Sequence, residues 1–266
     1  MMIHYGAIHY FNRDPREHPD LVVGVLKAVE DFAGPGRRGF QGMFAGTDKW
    51  SRKKAITARS LDQLAIDVRG GVYDAIVGTF GDETVGAVVS INCTPDSENW
   101  KNAYDLKLTT VLRNEAMLSQ AEAVALRLWE LCDSAHGISV LGSRLHEVSA
   151  ELSAIPVNIW GEPEDPVEQE RLFRLQELRP VFGEFARGAA WGNYLGSSLV
   201  ERLGGLERLK REAPVSRVAE LPGGGAYLRL SDRPLLLKTP EYERATEQLM
   251  RFLEPVLPPE LLSGRS

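Results

Sequence analysis

The sequence predicts an α+β fold in which mainly antiparallel sheet structure is covered by amphipathic helices. Two pairs of strand-like segments, at 75–93 and 215–230, are each joined by a short glycine-containing turn, which is typical of antiparallel hairpins. Segments with helical apolar spacing, such as 21–32 and 119–131, supply faces able to cover a sheet. With 43% hydrophobic and 26% charged residues among 266, the chain has the composition of a globular protein with a sizeable core.

The first part of the chain begins with a predicted strand at 3–11, where aromatic and β-branched residues are concentrated. Apolar residues at helical spacing over 21–32 indicate a helix that a Gly-Pro-Gly sequence ends. Residues 39–54 contain three glycines, aromatic residues and a basic cluster, and their pattern assigns them no element. A short helix follows over 60–68, with Ser60 as its expected N-cap.

The middle of the chain predicts a small antiparallel sheet and a covering helix. Strands at 75–80 and 85–93 form a hairpin, and the alternating segment 104–110 adds a third strand to the same sheet. The helix at 119–131 is amphipathic, and 138–141 predicts one more strand.

The segment 156–179 differs in composition, because acidic residues and prolines accumulate there. We predict an exposed acidic connector that contains one helix, over 166–178. This connector divides a single domain, 1–266, into two sub-lobes at 1–155 and 180–257.

After the connector, strand signals return at 189–195, and two short helices follow. A second hairpin is expected at 215–230, around a Pro-Gly-Gly-Gly turn. The last helix is expected at 240–253, with Thr239 as its N-cap. The two hairpin regions are compatible with one shared sheet.

Charge and targeting signals narrow the class of protein. The formal net charge of −6 provides no overall positive field, so nucleic acid is not expected as a partner. The first residues lack the pattern of a secretory signal, and no apolar run approaches the length that spans a bilayer, so we expect a cytoplasmic protein without membrane contact. Cys93 and Cys132 are expected to be small buried apolar residues. The oligomeric state stays open.

The sequence predicts no catalytic residues, no cofactor and no metal site. His4 and His9 lie five residues apart on a predicted strand and therefore face opposite sides, which excludes a shared metal ion. Asp105 and Lys107 share one strand face, which leaves open a magnesium-dependent nuclease or hydrolase as the alternative to a charge pair on a solvated face. The basic run from Trp50 is compatible with phosphate contact, although an exposed loop is the simpler interpretation.

Acidic residues of the connector are the candidate contacts for a basic partner. They either solvate the chain or steer a positively charged protein towards it. The candidates are Glu162, Glu164, Asp165, Glu168 and Glu170.

The C-terminal part carries a resemblance to a known group of proteins. The segments WGNYLG (191–196), LVERLGG (199–205), LERL (206–209), the hairpin VAELPGGGAYLRLSDRP and the closing TPEYERATEQL resemble the bacterial type VI immunity proteins and the related immunity-protein-52 family. The resemblance covers residues 189–253. The first half is similar more loosely, through the strand at 3–11, a WSRKKA segment (50–55) and the hairpin that ends near 91–93.

The resemblance implies a single immunity-type domain that binds a cognate antibacterial toxin and neutralises it. Such proteins usually carry no catalytic residues. The toxin partners of the immunity-protein-52 family are often nucleases, and an acidic inhibitor suits a basic nuclease cleft. A secretion-system adaptor is the third reading that the sequence leaves open.

Overall fold

The structure, a computed structural model, describes residues 2–34, 36–81, 86–93, 104–153, 166–178, 181–182 and 184–262. Within these ranges the strands are β1 (Ile3–Phe11), β2 (Arg37–Phe44), β3 (Lys54–Ala55), β4 (Tyr73–Gly81), β5 (Gly86–Asn92), β6 (Tyr104–Leu112), β7 (Ser134–Gly142), β8 (Gly192–Leu195), β9 (Arg217–Leu221) and β10 (Gly225–Arg229). The helices are α1 (Pro19–Ala33), α2 (Ala58–Arg69), α3 (Glu115–Cys132), α4 (Leu145–Ser153), α5 (Pro166–Glu177), α6 (Ser197–Arg202), α7 (Leu206–Glu212), α8 (Pro240–Leu253) and α9 (Pro259–Leu262).

All ten strands form one sheet, in the order β3-β2-β4-β5-β6-β1-β7-β8-β10-β9. Every neighbouring pair in it is antiparallel. The predicted α+β fold is therefore confirmed, and the two hairpin regions do share one sheet. The pairing of β7 with β8 joins the strands of the first part of the chain to those of the last part. The division into two sub-lobes stays a prediction.

The strand β1 lies in the middle of the sheet and is covered on both faces. Its odd-numbered residues, such as Tyr5 and Phe11, belong to the core formed with α1 and α3, whereas Ile8 and Tyr10 pack with α4 and α5 on the opposite face. Side chains of a strand alternate between the two faces, so this split shows that α4 lies across the sheet from α1 and α3.

Among the described residues, the strands β4 and β5 are covered on one face only. Their residues alternate between buried side chains and side chains that are half-buried or exposed. We call the second set the open face, and it continues onto β2. The open face consists of Gln41, Met43, Val77, Thr79, Val88 and Ser90.

Helix caps agree with the sequence at the last helix and differ at α2. The side chain of Thr239 caps α8, as predicted, by accepting a hydrogen bond from the backbone N–H of Tyr242. The cap of α2 is Thr57, and the predicted Ser60 lies three residues further on, where the two side chains complete a capping box. The prediction of Ser60 as the cap was therefore wrong by one turn.

The strand β2 is one of the elements that the sequence did not indicate. Its glycines lower strand propensity, yet two of them are needed by other side chains. A Cβ on Gly42 would lie 2.4 Å from Cδ1 of Tyr73, whose ring crosses the strand there. A Cβ on Gly39 would lie 2.8 Å from Cε of Lys53. These close approaches come from distant or neighbouring segments and leave no local pattern.

Among the described residues, no helix combines the length and the apolar content that crossing a bilayer requires.

Candidate functional site

A cleft of about 650 Å³ lies between α4, α5 and α8, next to residues 187–189. Its floor is apolar, with Ile138 and Leu237 among its lining residues. Four acidic and four basic side chains line it as well: Glu147, Glu151, Glu170, Glu243, Arg171, Arg174, Arg187 and Lys238. Because the two signs are balanced in number, the cleft as a whole favours neither an anionic nor a cationic ligand.

Arg187 is the buried charge at the base of this cleft, with 3% of its surface exposed. One guanidinium nitrogen, Nη1, donates to the Tyr10 hydroxyl at 3.0 Å and to the carbonyl of Leu152 at 2.8 Å. The other, Nη2, donates to the carbonyl of Glu151. Both carbonyls belong to the last turn of α4, where carbonyls lack helical partners and the helix dipole favours a cation. Arg187 thus caps the C-terminus of α4 and joins this helix to β1.

His136 fastens the same segment to the sheet through the backbone. Its Nε2 accepts a hydrogen bond from the backbone N–H of Arg187 at 2.9 Å, so the ring proton lies on Nδ1, which donates to the Tyr194 carbonyl at 3.0 Å. Burial lowers the pKa of His136 to about 3, and the charge of Arg187 acts in the same direction. The imidazole is therefore neutral and serves as a structural link between β7, β8 and residue 187.

The carboxylate of Glu151 interacts with two arginine side chains, those of Arg171 and Arg187. Burial disfavours its carboxylate, but the positive charges of Arg171 and Arg187 outweigh burial and lower the pKa of Glu151. Arg171 of α5 forms an ion pair with this carboxylate, which joins α5 to α4. Lys238, at another wall of the cleft, adopts a left-handed backbone conformation with φ of 62°, which is uncommon for a residue with a long side chain.

A second buried network joins the two parts of the chain on the other face. The hydroxyl of Tyr227 on β10 donates to the carboxylate of Glu122 on α3 at 2.6 Å. Arg229 approaches the other carboxylate oxygen of Glu122 at 3.5 Å. The ring of Tyr194 lies between those of Tyr227 and Trp129, with centroid distances of 4.8 and 5.8 Å. This network holds α3 against β8 and β10.

The acidic residues predicted as partner contacts are placed only in part. Glu162, Glu164 and Asp165 lie outside the described residues, and of Glu168 only the backbone, in α5, is described. Glu170 lies on α5 at the rim of the cleft, exposed, and pairs with Arg174 at 2.6 Å. Their role in binding stays a prediction.

The pair Asp105 and Lys107 lies on β6 and is joined by an ion pair of 4.0 Å. Asp105 is only 3% exposed, and Lys107 also reaches the Ser153 hydroxyl at the end of α4 at 3.4 Å. The expectation of a solvated face was wrong for Asp105, because α4 and β1 bury it. The pair links the sheet to the end of α4.

The remaining candidates for chemistry are structural where they are described. Within the described ranges, no group of three or more histidine, cysteine, aspartate or glutamate side chains is arranged to hold a metal ion. Cys93 and Cys132 are free and buried, as predicted, and burial raises the pKa of each thiol to about 12. His9 is buried against the rings of Trp129 and Tyr194, and burial lowers its pKa to about 3.

The basic run that starts at Trp50 lies at the edge of the sheet, beside β2 and β3. Trp50 forms an isolated antiparallel bridge with Met43 and is 44% exposed. Residues 44–50, 52 and 53 are exposed, as expected for a loop, whereas Lys54 at the end of the run lies in β3 and is half-buried.

Apart from Glu170, the charged residues that line the cleft were not among the candidates that the sequence indicated. Arg187 lies in the irregular segment that precedes β8, where no periodicity marks it as buried. Its partners are a hydroxyl on β1 and two carbonyls of α4. The available signal was a lone arginine beside a run of small and apolar residues, RGAAW, which by itself does not distinguish a buried from an exposed position.

The fold defines the class: an α+β protein whose ten-stranded antiparallel sheet carries helices on both faces in its middle. No family model matches the sequence, and no curated protein matches it either. Among solved structures, the chain is similar to the Pseudomonas aeruginosa T6SS protein PA0821, with a TM-score of 0.59 and 11% identity, over 96% of this chain and 73% of that one. At this identity the likeness establishes a shared fold.

A second similarity is to a chain of the crystal structure of the toxic C-terminal tip of CdiA from Pseudomonas aeruginosa in complex with its immune protein. It covers 63% of this chain and 99% of that chain, with 9% identity and a TM-score of 0.30. That score is too low to establish a common fold.

Proposed function

We propose that this protein is an immunity protein that binds and neutralises a secreted antibacterial toxin by occluding it. The observation that carries the proposal is the fold shared with a T6SS protein over 96% of the chain. The resemblance of residues 189–253 to type VI immunity proteins supports it independently, because it rests on sequence segments and not on the fold. In this proposal the protein acts by binding alone, in the cytoplasm, without catalysis.

The test is protection in living cells. Toxin domains encoded beside this gene are expressed in a susceptible bacterium with and without this protein, and survival is counted. We expect survival to be restored by the wild-type protein, and a stable complex to be recovered by co-purification. Failure to protect against every such toxin domain would sink the proposal, whereas stable association without protection would favour a secretion-system adaptor.

The finer part of the proposal concerns the toxin. We infer a basic toxin domain, in the first place a nuclease, whose positive surface meets the acidic residues of the connector. The five acidic candidates, and no others, are reversed to lysine for this test: Glu162, Glu164, Asp165, Glu168 and Glu170. We expect weaker binding and a smaller dependence of the affinity on salt. Unchanged affinity and salt dependence would remove the acidic residues from the interface while leaving the immunity function in place.

The enzyme alternative is tested with the same strains. Substitution of both Asp105→Asn and Lys107→Met removes the charges that a magnesium-dependent nuclease or hydrolase would use. A magnesium-dependent activity of the wild-type protein that these substitutions abolish, with protection intact, would establish catalysis as a separate function.

A further inference from the structure

The edge of the sheet at β2 and β3 carries a surface of unusual composition. We define the Trp50 patch as Met43, Lys49, Trp50, Arg52 and Lys53. Trp50, Lys49, Arg52 and Lys53 are exposed, and Met43 is half-buried. A large aromatic side chain therefore lies in water among three cations, on a protein whose net charge is −6.

The Trp50 patch continues the open face of the sheet. Residues bridged across an antiparallel pair lie on the same face, so the Met43–Trp50 bridge places Trp50 beside Met43. The stem of Lys53 lies over Gly39, where a Cβ would come within 2.8 Å of its Cε. Phe40, between these positions, points the other way into the core. Trp50 and Lys53 therefore border the open face, which contains Val77 and Val88.

The three cations of the Trp50 patch form no ion pair within the described part of the chain. Their neighbour Lys54 differs, because it approaches Asp67 of α2 at 3.6 Å. Charged residues on an edge strand commonly prevent edge-to-edge association of sheets, and this role accounts for Lys49, Arg52 and Lys53. It does not account for an exposed tryptophan beside them, since exposed apolar surface at a sheet edge promotes association.

We propose that the Trp50 patch docks an acidic segment of a partner protein, with Trp50 as the apolar anchor and the three cations as its charged rim. The partner is the toxin, so the inference rests on the proposed function. Tryptophan and arginine are among the residue types most enriched in the hot spots of protein interfaces. A basic patch here and acidic residues on the connector present opposite signs to one partner, which fixes its orientation as well as its affinity.

A protein fits this surface better than a nucleic acid does. Nucleic-acid affinity grows with the number of phosphates neutralised, and the Trp50 patch offers three cations against a net charge of −6. A carboxylate segment needs only a few pairs of opposite charge around a buried aromatic contact. A thymidine oligonucleotide therefore serves as the competing ligand in the test.

The first arm of the test uses the toxin domain identified by protection. Trp50→Ala, and separately Arg52→Glu with Lys53→Glu, are expected to weaken its binding at least about tenfold. An exposed position away from both the Trp50 patch and the acidic connector is the matched control: Arg217→Glu on the opposite edge strand β9. Thermal unfolding confirms that each variant folds.

The outcomes of this arm separate the two proposals. Protection by the wild-type protein, with both Trp50 patch variants binding as tightly as wild type, overturns this inference and leaves the immunity function standing. A loss of binding equally large in the Arg217 control overturns it too, because the effect would not be specific to the Trp50 patch.

The second arm does not depend on the toxin. Binding of a fluorescein-labelled polyglutamate peptide to the full-length protein is followed by anisotropy, against a thymidine oligonucleotide of equal length. Salt-sensitive binding of polyglutamate that Trp50→Ala and Arg52→Glu/Lys53→Glu remove supports the Trp50 patch as a docking site for an acidic segment. Where no toxin domain is neutralised, this result keeps the docking site and removes the toxin as its partner. Preference for the oligonucleotide, no polyglutamate binding, or a dimer that Trp50→Ala dissociates in sedimentation would each overturn it.

Discussion

The strands β1, β7 and β8 differ from β4 and β5 in how they are covered. The first three are buried almost throughout, with Tyr5 to Phe11 of β1 and all of β8 inaccessible to solvent. The other two alternate between the core and the open face. A strand that is buried on both faces has no solvated side on which to place polar residues, so any it carries need partners inside the protein.

Two buried polar side chains on the doubly covered strands have such partners. Asn193 on β8 satisfies both ends of its amide on the backbone of Ala190, at 2.9 and 2.8 Å. His136 on β7 uses both ring nitrogens. On β4 and β5, by comparison, polar side chains such as Ser90 lie on the open face, where water or a partner can satisfy them. The doubly covered strands therefore form the interior of the sheet, whereas β4 and β5 present an accessible face.

The strongest test of this contrast is Arg187→Met. It removes the three hydrogen bonds that close α4 onto β1, and we expect the free energy of unfolding to fall by about 3–5 kcal/mol. Chemical denaturation measures it. The matched control is Arg202→Met, because Arg202 also donates to two carbonyls, those of Glu184 and Pro255, but from an exposed position. A loss of about 1 kcal/mol is expected there, and equal losses for the two arginines would contradict the contrast.

Tyr227→Phe is expected to have the next largest effect. It leaves the buried carboxylate of Glu122 without its 2.6 Å partner, which costs about 1–3 kcal/mol. Tyr73→Phe is the control on the singly covered side. The hydrogen bonds of the Tyr73 hydroxyl are only partly buried and are longer, at 3.4 Å to Asp67 and 3.5 Å to Lys54. We expect it to change the stability by about 0.5 kcal/mol or less. A double-mutant cycle with Glu122→Gln assigns the loss to the pair, and additivity of the two substitutions would refute that assignment.

The two buried histidines make stability depend on pH. In the folded protein burial lowers the pKa of His9 and of His136 to about 3, whereas in the unfolded chain each takes up a proton below its ordinary value of 6.5. Their contribution is fully present above pH 6.5 and is lost as the pH falls towards 3. Each histidine contributes a slope of at most about 1.4 kcal/mol per pH unit to the free energy of unfolding.

The measurement is urea denaturation at a series of pH values between 7 and 5. In His136→Gln, the glutamine amide can accept from the Arg187 N–H and donate to the Tyr194 carbonyl, so the variant is expected to fold. We expect the slope of its free energy of unfolding against pH to be smaller than that of the wild type by the contribution of one histidine. An unchanged slope would show that His136 does not stay neutral in the folded protein.

The smallest expected effect compares neighbours on one strand. Val88 lies on the open face, 40% exposed, and Val89 lies in the core. Val88→Thr is expected to change the free energy of unfolding by about 0.5 kcal/mol or less, and Val89→Thr to lower it by about 1–3 kcal/mol, because only the second buries a hydroxyl. Comparable losses at both positions, measured by thermal unfolding, would show that the face we call open is covered.

The sequence predicts the elements of this fold better than their arrangement. Strand β1 and helix α8 have the bounds that periodicity, turns and the cap at Thr239 indicate. The signals at these elements are local. The helix α3 begins at Glu115, before the predicted start at 119, because its cap is Asn114, whose side chain accepts a hydrogen bond from the backbone N–H of Met117. The position of β1 between β6 and β7 depends on pairing between distant segments, which no local pattern contains.

The candidate site was less predictable than the fold for the same reason. Asp105 and Lys107 do share a strand face, as spacing requires, but their burial under α4 depends on a helix from another part of the chain. Arg187 is marked by no pattern, and its environment is made by β1, α4 and His136. Spacing within a segment predicts which way a side chain points; what it meets there depends on the tertiary fold.

The central position of β1 has a consequence for synthesis on the ribosome. Ile3 pairs with Leu112, and His4 pairs with Gly142, so the strand made early receives both neighbours only after β6 and β7 have been translated. Until then an apolar, aromatic strand with two unsatisfied edges is exposed to other nascent chains. Such late pairing slows folding, and we expect chaperones that bind extended segments to bind this strand until it is paired. A pause in translation before Leu112 should therefore lower the yield of folded protein.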